Sequence, residues 1–406
     1  MTRGVSLRQL PTAPVRTVST ARRWSMLAAS TLAQAAAAVM IHGPAFLIPT
    51  LHEREGLSLA EAGLVAAAPT IGVMLTLVAW GWVTDRRGER FVMLTGLGAT
   101  TLAGIASALT ESLPLLVVTL FLAGAAAAST NAASGRVVVG WFPPQRRGLA
   151  MGIRQMAQPI GVGVAAISIA VVADGHGIQA ALWVPTVACA LAALLAAAVV
   201  IDPPRPERTA GTPVANPYRQ DSFLARIHGV SVLLVVPQFL VWSFALVWLV
   251  QERGWSPAAA GSLVAVAQVA GALGRIAVGQ LSDMVGSRLR PLRWVALAAT
   301  VTMALLGLTA ALDLAVAVLL VVVATLVTVA DNGLAFTAVA ERAGPFWSGR
   351  ALGAQNTAQF LAGSAVPPLA GLAIGELGYA AAFALGALFP LVAAPLVPVR
   401  EERALS

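Results

Sequence analysis

A short polar loop occurs twice in this chain, each time between two long apolar stretches. The copies are Gly81-Trp-Val-Thr-Asp85-Arg86-Arg87-Gly88-Glu-Arg90 and Gly279-Gln-Leu-Ser-Asp283-Met-Val-Gly286-Ser-Arg288, 198 residues apart. Laid over 254–288 without a gap, residues 56–90 agree at 12 of 35 positions, and eight of these (Gly56, Ser58, Gly63, Leu75, Gly81, Asp85, Gly88, Arg90) are not alanine. Chance likeness between alanine-rich segments does not produce that set, so the chain is read as a duplicated unit. A second register, offset by 201, pairs Asn131, Gly148, Gly152 and Gln158 with Asn332, Gly349, Gly353 and Gln359. The three extra residues are placed after Asp283, between Gly286 and Arg293, because loops absorb length change better than packed helices.

The apolar stretches decide where this unit lives. Of 406 residues, 58% are hydrophobic and 11% charged, too little polar material to coat a water-soluble globule. A span needs about 20 apolar residues. Twelve such stretches lie near 24–50, 59–83, 91–111, 113–140, 149–173, 179–201, 227–251, 257–281, 292–312, 314–341, 349–374 and 378–398. All 26 basic residues are arginine. With the N-terminus inside, 21 of them fall in inner segments and only Arg54 and Arg253 outside, which sets both termini in the cytoplasm. The net charge of +8 is thus a matter of topology and anionic headgroups, not of nucleic acid. Removing the first stretch as a signal peptide would leave the first repeat one helix short. Cys189, the one cysteine, allows no internal disulfide. Residues 202–226, polar and proline-rich, form a linker between an N-terminal bundle (24–201) and a C-terminal bundle (227–398), with tails at 1–23 and 399–406.

A duplicated polytopic unit with a charged loop reading G-x-x-x-D-R/K-x-G-x-R/K resembles the major facilitator superfamily, and the likeness covers nearly the whole chain. It implies an all-α integral membrane fold of twelve helices in two pseudo-symmetric six-helix bundles, with a site between them at mid-depth. It also implies that Asp85 faces the start of the eleventh span near Gly349 to Gly353, and Asp283 the start of the fifth near Gly148 to Gly152. Both are helix N-termini, where the dipole favours an anion by about 0.3 to 1 kcal/mol, or about 2 when partly buried. The loop residues Gly81, Asp85, Arg86, Gly88, Arg90, Gly279, Asp283, Gly286 and Arg288 would then form inner gates. Met284 stands where the first copy has Arg86, so the second gate is expected to be the weaker.

Polar residues within the spans need a reason, since a mid-depth charge costs about 2.5 to 3.5 kcal/mol on insertion scales. Asp331, beside Asn332 in the tenth span, reads as a proton-coupling site, a ligand for a cationic solute, or a counter-ion to Arg275. His42 precedes Gly43-Pro44 in the first span. It is either a ligand and coupling group or a satisfied interior histidine. The paired amides Asn131 with Asn332 and Gln158 with Gln359, together with Gln238 and Trp242 in the seventh span, suit a polar solute or bonds between helices. Arg136 and Arg154 either snorkel to the headgroups or draw an organic anion inward.

The Trp141 to Gln155 segment resembles bacterial branches that carry small organic anions, cyanate or nitroimidazole-like compounds. Drug antiporter branches carry R-x-x-Q-G in the fourth span, where this chain has Leu120, Ala123 and Gly124. Efflux is therefore the second reading. No metal-spaced cluster, nucleophile elbow or nucleotide loop is present in the sequence. The expectation is a secondary transporter of the bacterial inner membrane rather than an enzyme. It would be monomeric and without cofactor or metal, moving a small organic solute with protons by alternating access.

Overall fold

The computed structural model describes residues 18–204 and 215–402. Among these the secondary structure is helical, in twelve spans. The N-terminal bundle comprises α1 (Thr20–Glu53), α2 (Leu59–Arg87), α3 (Glu89–Leu109), α4 (Leu113–Trp141), α5 (144–176) and α6 (178–199). The C-terminal bundle comprises α7 (Phe223–Gln251), α8 (Pro257–Val285), α9 (Leu289–Ala311), α10 (Val316–Ala343), α11 (348–377) and α12 (379–396). Each span begins or ends within a few residues of its expected position. The linker is shorter at its far end, because α7 starts at Phe223.

The repeat identities have local causes. Gly56 and Gly254 both take positive φ (69° and 64°), which only glycine adopts cheaply, just ahead of the second helix of each half. Ser58 and Ser256 cap those helices, each hydroxyl accepting an N–H at 3.3 Å, and Ser58 completes a capping box with Glu61. Gly177 (φ 85°) and Gly378 (φ 80°) turn the chain between the last two helices of each half. They stand 201 residues apart, so they extend the second register.

Two helices are broken at mid-length. In α5 the break falls at Gln155 and Met156, because Pro159 has no N–H for the Gln155 carbonyl and its ring crowds it. In α10 the regular helix stops at Val327 and resumes at Asn332. In α1 the helix gives way to a 3₁₀ turn at Gly43-Pro44.

Trp248 is packed into the C-terminal core, edge-on to Phe383 at 5.8 Å and capped by Arg253. Tyr218, in the linker, bonds His228 at 2.9 Å, and burial pushes its phenol up to about 12.

Candidate functional site

The bundles touch on the face that carries the two repeated loops, and they do so through glycine. A Cβ on Gly81 would lie 2.3 Å from the Gly349 carbonyl oxygen, and one on Gly279 would lie 2.2 Å from that of Gly148. One turn deeper, Gly353 meets Leu77 and Gly152 meets Arg275 in the same way. Toward the other face Gly63, Gly163, Gly261 and Gly375 have no neighbour within 4 Å of a Cβ. The halves therefore meet backbone to backbone on the loop face, and these glycines toward the opposite one make no such contact.

Each contact carries a carboxylate on a helix N-terminus. Asp85 Oδ1 accepts the Gly349 N–H at 2.8 Å and Oδ2 the Arg350 N–H at 3.1 Å. Asp283 accepts the Gly148 and Leu149 N–H groups at 3.0 and 2.8 Å. Around Asp85 gather the Arg350 side chain at 2.9 Å and Arg136 at 2.5 Å, the latter also paired with Glu89 at 2.7 Å. Around Asp283 stands Arg288 at 2.5 Å, which reaches on to the Pro144 carbonyl and Glu341.

Three expectations are corrected here. Arg136 is held by Asp85 and Glu89 and donates to the Pro345 carbonyl, so it neither snorkels nor reaches the cleft. Arg86 lies outside the contact, stacked on Trp82 at 3.9 Å. Arg90 holds the end of α6 through Asp202 and the Val200 carbonyl, whereas Arg288, its equivalent, joins the interhalf contact. Gly88 (φ 101°) and Gly286 (φ 66°) form the turns that follow each aspartate.

A cleft of about 900 Å³, counting its open mouth, lies between the bundles. Nine carboxamides line it: Gln34, Asn131, Gln155, Gln158, Gln238, Gln268, Asn332, Asn356 and Gln359. Aromatic faces come from Phe239, Trp242, Phe336 and Phe360, and the single charged residue on the lining is Arg275. Gln34 donates to Asn131 at 3.0 Å and accepts from Ser134; Asn332 donates to Gln238 at 3.1 Å and accepts from Gln359 at 3.0 Å. These bonds use part of each amide and leave further donors and acceptors for a solute.

Arg275 is positioned by the two helix breaks. It donates to the Gln155 carbonyl freed by Pro159 (2.8 Å) and to the Val329 carbonyl in the gap of α10 (3.3 Å), and so spans both halves. Arg154 lies buried beside this floor, bonded to Ser134, Gln155 and the Asn131 carbonyl. Among the described residues it has no carboxylate partner within 4 Å. Asp331 is buried behind the lining with Oδ2 unbonded, and Arg275 is an opposite charge acting on it without direct contact.

Of the expected solute contacts, Asn131, Gln158, Gln238, Trp242, Asn332 and Gln359 all come together on this lining. His42 is not on it: its ring nitrogen lies 2.8 Å from the Gln158 amide nitrogen. Asp331 likewise is not on the lining. Missed in the sequence were Gln34, Gln268 and the pair Gln155 and Asn356, yet that pair stands at the 201 register and the same arithmetic finds it.

The Major Facilitator Superfamily model matches residues 27–367, and this chain belongs to that superfamily: it is a multi-pass membrane transporter. An uncharacterized MFS-type transporter of Mycobacterium tuberculosis is 48% identical over 93% of this chain and 85% of its own length. The glycerol-3-phosphate transporter of Bacillus subtilis is 26% identical over 59% of this chain and 60% of its own. Among solved structures, the transporter FucP in its outward conformation superposes with a TM-score of 0.75 at 16% identity, over 93% of this chain and 99% of that one.

Proposed function

We propose that the chain carries a small polar organic anion, a carboxylate or phosphate ester, across the bacterial inner membrane by alternating access coupled to protons. The observation that carries this reading is Arg275. It is the one charge on a cleft otherwise lined by amides and apolar side chains, held by carbonyls of both halves and facing no acidic residue on the lining. Buried guanidinium groups recognise carboxylate and phosphate through paired, charge-assisted hydrogen bonds. The phosphate-ester cargo named for the Bacillus subtilis relative fits the same chemistry.

Asp331 supplies the coupling. With the cleft empty, its carboxylate offsets the charge of Arg275; an anion bound to Arg275 takes over that role and leaves Asp331 to bind a proton. Solute and proton then cross together as the halves rock. The glycine contacts and the two aspartate gates close the cytoplasmic side in this state, with both termini cytoplasmic and the monomer as the working unit. Efflux of a neutral drug is disfavoured by a guanidinium on the floor of the cleft.

Thermal-shift measurements on the purified protein test the anion. Small organic acids and phosphate esters should raise its melting temperature, and Arg275→Gln should abolish that rise. Stabilisation by neutral polyols alone, surviving Arg275→Gln, would overturn the reading. For coupling, Asp331→Asn in proteoliposomes should end accumulation driven by a pH gradient while solute exchange continues.

A further inference from the structure

We propose that the loop-face end of α9 is a binding site for an anionic phospholipid whose headgroup carries two phosphates. Arginines from three separate segments converge there: Arg226 from α7, Arg290 and Arg293 from α9, and Arg400 from the C-terminal segment. They line two adjoining grooves that share Arg293 and Val399. Arg226 is already engaged, pairing with Glu401 at 2.5 Å and donating to the Leu396 carbonyl at 3.0 Å. Arg290, Arg293 and Arg400 are exposed, and among the described residues none has a carboxylate within 4 Å.

The wall opposite α9 is built rather than frayed. Glu402 accepts the Arg288 and Leu289 N–H groups at the start of α9 and the Ser287 hydroxyl, which fastens residues 399–402 against that first turn. Arg400 is thereby held near the α9 arginines.

The site also has the depth and shape of a lipid contact. Arg290, Arg293, Trp294 and Leu297 share one helical stripe, and exposed Val301 and Leu308 continue it along α9. A phosphate can rest on the arginines, the indole at the headgroup level and an acyl chain along the aliphatic stripe. Three free guanidinium groups around two adjoining grooves match two phosphates; a single phosphate leaves like charges crowded and unneutralised. Elsewhere on this face Arg86 and Arg87 stack on Trp82 and Phe91.

Native mass spectrometry of the full-length protein, titrated separately with diphosphatidylglycerol, phosphatidylglycerol and phosphatidylcholine, tests this. Diphosphatidylglycerol should be retained at one per chain and preferred to the other two. The triple variant R290Q/R293Q/R400Q should weaken its binding about a hundredfold, on the order of fivefold per arginine. The triple variant R86Q/R87Q/R219Q, which removes equal charge from the same face, should bind as the unaltered protein does. Equal weakening in both variants, or in neither, would overturn the proposal in favour of diffuse headgroup attraction. So would equal affinity for phosphatidylglycerol, or displacement of the lipid by an acyl-free glycerophosphodiester. Should the triple variant not fold, Arg293→Gln alone carries the test, with a loss of about fivefold.

Discussion

The two aspartate contacts are copies of one design that have kept different parts of it. In both, a glycine lets two helix backbones touch, and a carboxylate accepts two N–H groups at the start of a helix in the other half. The charges around them differ. Among the described residues, Asp85 pairs with Arg136 and with Arg350 from across the interface, whereas Asp283 pairs with Arg288 of its own loop. At the positions equivalent to Arg136 and Arg350 stand Thr337 and Leu149. The second contact gets its interhalf charge pair elsewhere, from Arg147 and Glu341 at 3.3 Å. Backbone geometry is thus conserved between the halves, because a close helix crossing tolerates no side chain. Charge placement has drifted, because a guanidinium can approach a carboxylate from several directions.

That contrast can be broken at its shared part. Gly81→Ala and Gly279→Ala each insert a methyl where a backbone oxygen already stands, a strain of about 1 to 3 kcal/mol or more. Both should cut transport by about an order of magnitude or more, and by similar factors, since the sterics match. Unequal losses would show that the two crossings are not equivalent.

The charges should separate the two contacts. Asp85→Asn removes the charge pair with Arg350 across the interface and weakens the helix-terminus contact, and should shift the balance away from the closed loop face by about 2 to 3 kcal/mol. Asp283→Asn forfeits the helix-terminus contact while Arg288 keeps Glu341, at about 2 kcal/mol. Distances between spin labels on the loops of the two halves would report the populations, and a larger shift for Asp283→Asn would reverse the ranking. The smallest effect is expected for Arg86→Gln. This exposed side chain lies outside the contact, so transport and stability should change by less than about 0.5 kcal/mol. A loss comparable to that of Asp85→Asn would return Arg86 to the gate.

The sequence anticipated a weaker second contact from Met284 in place of Arg86. Among the described residues the structure puts one guanidinium on Asp283 against two on Asp85, and the Met284 position is not the cause: Met284 is exposed and Arg86 is turned aside onto Trp82. Loop position alone could not separate the two cases, since a flexible arginine at that place reaches either a ring or a carboxylate. Six of the seven expected solute contacts lie on one lining because amides inside apolar spans have few other places to go. The exception, His42, was indistinguishable in sequence from a lining residue. Only the structure shows it off that lining and bonded to Gln158.

The chain by itself determined the membrane, the twelve spans, the doubling and the glycine and aspartate positions. These follow from hydrophobic length, from backbone sterics and from a repeat read at fixed offsets. Tertiary structure alone decided which arginine meets which acid. Arg136 went to Asp85 and Glu89, Arg90 to the end of α6, and Arg275 to carbonyls freed by breaks in two helices distant in sequence. The physical reason is reach: a long cationic side chain is matched to its partner by packing across the bundle, and the order of residues along one helix holds no record of it.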